Sequence, residues 1–521
     1  MVRPFRTVDK GTPIFDFIVA HLDDDGKLDA SGVTLPDEDL DAGELRWAPG
    51  AMDGVFGHHA GSDEANDRGA ELAHLIATAG AKPSKRNLRK VAAELSSTEA
   101  LEVVDPVISQ LGDAGATISG VQTVGRWLAT TSPDRSAVKL GIALMGAAGL
   151  DPTEDDLAVV LGLGAHEEFT LFSAVAITNG LPESDRALWS LAERVEGWGR
   201  IQCVERLATT DDPEIQDWIL RTGFRNSVMD EYLACTAARV GRLHEQLRDH
   251  PDDRELLTAA GDLLTALIAG GPAEDIDDWT DAAEGVEAYL EAMGRAAETL
   301  GDFLAIAEIA AFLERDGDWD GRAERGWTAT RRDAFEHHCR AILGRERWYD
   351  LVRTGLLSDD TTEFWQAQRA ARHLGIDTFD ALVAHITADP LGGSWFQAWE
   401  VADRERAIEL AQLARTLLPF SQVGSGPADS LGLGPGSELT SAADWTLQGL
   451  RDHEGVGGDL LLIGLRSPSI RNRNMALMAL ATWSRTIWPE GAEAAVRHAL
   501  ATDPSESVRE NAQQLLDGTL S

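Results

Sequence analysis

Apolar residues recur along most of the chain at the spacing of one helix face. Ser505 to Leu516 places Val508, Ala512, Leu515 and Leu516 four, three and one residues apart, a single stripe. Asp503-Pro504 ahead of it predicts an N-cap with proline at the first helical position, and Gly518 predicts the stop. Ser467-Pro468 opens a second such stretch, Ile470 to Trp483, and Pro489 to Leu500 forms a third. Start signals of the same kind stand at Ser132-Pro133, Asp151-Pro152, Asp212-Pro213 and His250-Pro251. Alternating strand patterns are nearly absent, so the pattern predicts about 20 or more short helices with short turns. Helices this short bury their apolar faces by stacking in pairs, which predicts an all-α protein built as an α-solenoid.

Two stretches break the helical pattern. Residues 23–63 are rich in Asp, Gly and Pro, which predicts an irregular N-terminal extension over residues 1–65. Residues 421–438 carry the strongest loop signal, with repeated Gly, Ser and Pro. The expected organisation is therefore an extension, a helical repeat body over 66–420, a Gly-rich loop over 421–438, and C-terminal repeats over 439–521.

The turns themselves carry a resemblance. Ser467-Pro468-Ser469-Ile470-Arg471-Asn472-Arg473 and Asp503-Pro504-Ser505-Glu506-Ser507-Val508-Arg509 resemble the inter-helix turn of HEAT-like repeats, and they stand 36 residues apart. Thr210-Asp211-Asp212-Pro213-Glu214-Ile215-Gln216 is a third copy with Gln in place of Arg. The resemblance implies a HEAT/armadillo-like α-solenoid.

Charge narrows the partners. The 521 residues include 87 acidic and 46 basic side chains, a formal net charge of −41. That balance argues against nucleic acid, whose phosphates reward Lys and Arg, and against a polybasic membrane anchor. Only 6 of the basic residues are Lys. Three of those lie in Lys82-Pro83-Ser84-Lys85-Arg86-Asn87-Leu88-Arg89-Lys90, an island of five cations without an acid. It reads either as a solvated helix face or as a dock for an anionic partner. Residues 451–521 hold 7 basic and 9 acidic residues, so the remainder carries nearly all the excess. The start, Met1 to Asp9, shows no apolar run of signal-peptide length, and apolar runs elsewhere are cut by charges such as Lys139 and Glu308. Three widely spaced cysteines, Cys203, Cys235 and Cys339, form no metal or disulfide framework, so a cytoplasmic setting is expected.

Candidate chemistry is sparse. The Gly-rich loop lacks the preceding strand that a dinucleotide site needs, and His166-Glu167-Glu168 lacks the second His of a zinc helix. Trp47 to His59 packs Gly, Pro, aromatics and two His together. Asp53, His58 and His59 there are weak catalytic or metal candidates; the alternative is a capping loop whose aromatics plug the first helix pair. His337-His338-Cys339 face different ways on one helix and do not chelate together. Trp395 and Trp399, one turn apart, read as core before they read as an anchor. The block around Trp198, Arg200, Glu205, Arg206, Arg225, Asn226 and Glu231 offers polar groups at equivalent places on successive helices. Two readings stand for it: a concave face that grips a carboxylate-bearing or peptide ligand, or internal Arg–Glu bracing.

That block also resembles a family of bacterial helical proteins labelled limonene hydroxylase, through Trp198-Gly199-Arg200-Ile201, Val204-Glu205-Arg206-Leu207, and Asn226 with Glu231-Tyr232-Leu233-Ala234. The label implies an NAD(P)H-dependent monooxygenase, with its site near Asp53/His58/His59 or Arg200/Glu205/Arg206. No flavin, haem or dinucleotide apparatus is legible, so neither cofactor nor metal is expected. The favoured expectation is a non-enzymatic scaffold binding a protein or peptide; the alternative is that enzyme.

Overall fold

The computed structural model describes residues 11–38, 47–51, 63–95, 98–150, 155–434 and 436–520. Among them the chain forms 29 α-helices, and no strand is present beyond isolated bridges. Among the described residues no helix is long and apolar enough to cross a membrane. The chain divides into two compact units, Met1–Arg345 and Glu346–Ser521. The division falls at 345/346, and the Gly-rich loop lies wholly inside the second unit.

Within each unit, alternate helices stack. In the first, Arg135–Ala148 packs on Glu167–Gly180, which packs on Trp198–Arg206, then Glu231–Val240, Arg254–Ala269, Leu300–Glu314 and Ala329–Leu343. In the second, Ser394–Glu400 packs on Glu438–Gly449, then Ile470–Thr482 and Glu506–Asp517. The apolar stripes read from the sequence supply these faces: Val508, Ala512 and Leu515 are buried on the last helix, as are Trp395 and Trp399 on theirs. Small residues set the closest approach. A Cβ at Gly141 would lie 2.6 Å from the Ala129 amide nitrogen, so the Ile118–Thr131 and Arg135–Ala148 helices meet backbone to backbone there.

The N-terminal extension is packed on the body. Ile14–Ala20 is a short helix whose Ile14 and Ile18 are buried, and the Ile14 amide donates to the Ser132 carbonyl at 3.0 Å. Asp23 and Asp29 then cap their own turns through side-chain acceptance from following amides.

The three similar turns share one brace. The Arg473 guanidinium donates to the Ser467 and Pro468 carbonyls at 2.7 and 3.0 Å. Arg509 does the same to Asp503 and Pro504 at 2.6 and 3.0 Å. Gln216 Nε2 reaches the Thr210 carbonyl at 2.8 Å, so the shorter side chain makes one bond where the arginines make two. The helix starts differ from expectation. Among the described residues only Asp212-Pro213 is an N-cap with proline at the first helical position. The last helix begins at Glu506 with Ser505 before it, because the Asp503 carboxylate is taken by the Ser505 amide and by Arg473. Likewise Asp134 and Asp253, not Ser132 or His250, cap their helices, while Asp151-Pro152 lies outside the described residues. The Gly-rich loop is pinned to the first of these turns: Ile470 donates to the Ser430 carbonyl at 2.8 Å, and Gly426 to Arg466 at 2.9 Å.

Arg473 and Asp503 are both fully buried, with Nε–Oδ2 at 2.8 Å. Arg473→Ala strands that carboxylate and should cost about 3–5 kcal/mol, whereas half-buried Arg509→Ala should cost about 1–2 kcal/mol. Urea unfolding of the full chain measures both; equal losses would show that the buried pair is not the stronger brace.

Candidate functional site

The Trp198 block is built from its neighbour upward. Trp198–Arg206 starts without a side-chain cap of its own. The amides at its start are instead taken by Glu167, in the first turn of the stacked helix Glu167–Gly180. Its carboxylate accepts from Glu196, Gly197 and Gly199 at 3.0, 2.7 and 2.5 Å. An anion at a helix N-terminus is favoured by the unpaired amides and the helix dipole. The glycines follow from this contact. A Cβ at Gly199 would sit 2.6 Å from Thr170 Oγ1, and one at Gly197 would sit 3.2 Å from Glu167 Oε2.

The polar residues of the block bind backbone. Arg200 Nε donates to Val195 and Ala192 carbonyls at 2.8 and 3.2 Å, and its Nη1 to the Arg225 carbonyl at 3.2 Å. Its guanidinium lies over the Trp218 ring, 5.9 Å from the centroid. Arg206 donates to Gln202, both carbonyl and side chain. Burial holds both guanidiniums below the ordinary arginine pKa. Arg225 pairs with Asp262 at 2.6 Å and bonds the Arg221 carbonyl. Asn226 closes a turn: its Oδ1 accepts from Val228 and Met229, and its Nδ2 donates to Phe224 and Met229. Trp198, Arg200, Arg225 and Asn226 are thus brought together, with Glu231 opening the next stacked helix. Trp198 and Tyr232 form a half-exposed aromatic pair with ring centroids 5.2 Å apart. Glu205 is exposed and Glu231 half-buried.

The neighbouring acid, legible in the sequence only as part of an incomplete zinc motif, has a structural role. Glu168 points into a polar cluster beneath the N-terminal extension. Lys139 Nζ, on a buried side chain, lies 2.8 Å from Glu168, and Arg135 lies 3.6 Å away. Arg135 also forks onto Asp37 at 2.9 and 3.1 Å and reaches Glu38 at 3.4 Å. The Gly50 amide donates to Glu168 at 3.3 Å. Burial raises the Glu168 pKa, but Lys139 and Arg135 outweigh it and hold the carboxyl below its usual value. His166 is buried; its Nε2 lies 3.1 Å from the Val33 carbonyl and its Nδ1 accepts from the Glu168 amide at 3.2 Å. That geometry fixes a neutral ring with the proton on Nε2, and burial pushes its pKa down to about 4. His166-Glu167-Glu168 is therefore a junction. The His holds Val33 of the extension, one Glu caps the Trp198 helix, and the other neutralises Lys139.

Asp53, His58 and His59 lie outside the described residues. His337 is exposed, His338 half-buried and Cys339 buried, so the three face different ways. Among the described residues no group of three or more His, Cys, Asp or Glu is placed to hold a metal ion. The three thiols are buried, and burial pushes Cys203 and Cys339 up to about 12 and Cys235 to about 11, so all are protonated at neutral pH.

No protein-family model matches the chain, and no curated protein matches it. Among solved structures, the crystal structure of an engineered protein covers 87% of this chain and 99% of its own, at 18% identity and a TM-score of 0.25. A likeness at that score carries no argument about fold or function.

The His166 geometry sets a pH dependence. Its pKa is about 4 in the folded chain and about 6.5 unfolded, so between those values the unfolded chain binds the extra proton. The stability that His166 confers is complete above about pH 6.5 and lost as pH falls towards 4, by about 3 kcal/mol in all. The stability gap between the parent and His166→Gln should shrink on acidification from pH 7 to about 4.5. A gap independent of pH, read from urea midpoints, would refute the assignment.

Proposed function

We propose that the chain is a helical-repeat scaffold of HEAT/armadillo-like type that binds a protein or peptide partner without catalysing a reaction. The stacking of alternate helices within each unit and the shared brace of the three turns support the repeat reading. Repeat stacks place equivalent residues in rows, and rows make extended binding faces.

The observation that carries the binding reading is the Trp198–Tyr232 pair. Both rings are half-exposed, yet Trp198 stands on a helix start fixed by three hydrogen bonds to Glu167. Rigid aromatic surface is what interfaces favour, because it contributes contact area at little cost in conformational entropy. In this reading Trp198, Tyr232 and Glu231 touch the partner. Arg200, Arg206, Arg225 and Asn226 are positioning residues, since their donors are committed to backbone and neighbours. Glu205, exposed on the same helix, flanks the face. Buried, protonated thiols suit a reducing cytoplasm.

The double variant Trp198→Ala/Tyr232→Ala should lose a stoichiometric partner captured from the source cells while keeping the parent melting temperature to within a few degrees. Arg200→Ala should instead destabilise the fold by about 1–3 kcal/mol. Undiminished capture by the double variant would sink this face as the binding surface. A stoichiometric metal, flavin or haem found in the purified protein by elemental analysis and absorption would sink the scaffold reading itself.

A further inference from the structure

The structure singles out a second surface, independent of the Trp198 face. Lys85–Leu95 is a helix whose Leu88, Val91 and Leu95 are buried. Lys82 just ahead of it, and Lys85, Arg86, Arg89 and Lys90 on it, are all exposed. None of these five makes an ion pair or side-chain hydrogen bond among the described residues. Several other cations of the first unit are spent differently: Arg135, Arg186, Arg221, Arg239 and Arg331 are each committed to carboxylates.

The five cations are placed against local stability. Lys85 and Arg86 stand in the first helical turn, where the dipole disfavours positive charge. Lys85 with Arg89, and Arg86 with Lys90, are like charges four apart on one helix, which repel. Of the five, only Lys90 has a carboxylate four residues away, Glu94, and no ion pair joins the two among the described residues.

We infer that the outward face of the Lys85–Leu95 helix docks a short acidic peptide segment of a partner protein. Its size sets the class of anion. The helical part of the band, Lys85 to Lys90, is only about 7.5 Å long at a rise of 1.5 Å per residue, with Lys82 just ahead of it. Exposed Glu94 and Glu99 follow it, in a chain whose net charge is −41. A nucleic-acid duplex, at one charge per ~1.7 Å, or an anionic bilayer runs past the band and meets that acidic surface. A segment of a few Asp or Glu residues fits within it, and screening over ~8 Å at physiological salt removes most of the repulsion from the rest of the body.

The test is fluorescence anisotropy of a labelled oligoglutamate peptide against the full chain, run beside a single-stranded oligonucleotide and phosphatidylserine vesicles. The peptide should bind, weaken as salt rises from about 0.05 to 0.3 M, and bind about tenfold more weakly to Lys85→Glu/Arg86→Glu/Lys90→Glu. The milder Lys82→Gln/Arg89→Gln should show a smaller loss. Both variants should keep the parent circular dichroism, since every substituted side chain is exposed; if the reversal misfolds, the milder variant decides. No peptide binding, binding indifferent to both variants, or tighter binding of the oligonucleotide or vesicles through the same residues would each overturn the proposal.

Discussion

A protein made of short helices has many helix ends, and each end leaves four amides or four carbonyls without intrahelical partners. Here the termini recur every ten or so residues over most of the chain, often away from solvent, so their pairing is the constraint on which the stack depends. Two devices meet it. Arginines bind the carbonyls of the turns, as Arg473, Arg509 and Arg200 do. Carboxylates take the amides of helix starts, either from the chain's own cap, as at Asp253 and Asp403, or from the adjacent helix, as Glu167 does. Arginine suits this role, because a planar guanidinium presents five donors in a fixed fork.

The Glu167 contact shows how one such end positions the candidate site. The same carboxylate, with Thr170 beside it, crowds positions 197 and 199, where glycine leaves room, and it holds the helix start on which Trp198 stands. The residues on either side of it, His166 and Glu168, anchor the extension and neutralise a buried lysine. A break at this junction therefore disturbs both the extension and the Trp198 face. Burial of Lys139 is sustained by the ion pair, since an unpaired charge there would be far more costly than the pair.

Charge divides along the same line. Inside the units, acidic and basic side chains are matched across neighbouring helices, as in Arg221–Asp253, Arg322–Asp277 and Arg415–Asp459. The excess acid is left to solvent, and it keeps like molecules apart without specifying the fold. Against this ground the Lys85–Leu95 face stands out as a cluster of five exposed cations with no ion pair among the described residues, Lys82 just ahead of the helix included.

The sequence by itself determined the helical class, the buried stripes and the repeated turn, because periodicity and turn chemistry act over a few residues. Val508, Ala512 and Leu515 and the likeness of the three turns were legible in this way, whereas the bond from residue 216, 473 or 509 to the carbonyl six positions back was not. Which readings of the Trp198 block applied to which residue was not legible. The Glu167 acceptors lie about thirty residues away, and the His166 partner 133 residues away. Only the stacking of helices brings such groups within hydrogen-bond reach, so the tertiary structure alone decided that the arginines brace while the aromatic pair faces outward. It also moved the helix starts beyond their prolines, because Asp503 is drawn to the buried Arg473 from the preceding turn. A side chain's partners depend on what the fold sets beside it, and no local pattern encodes that.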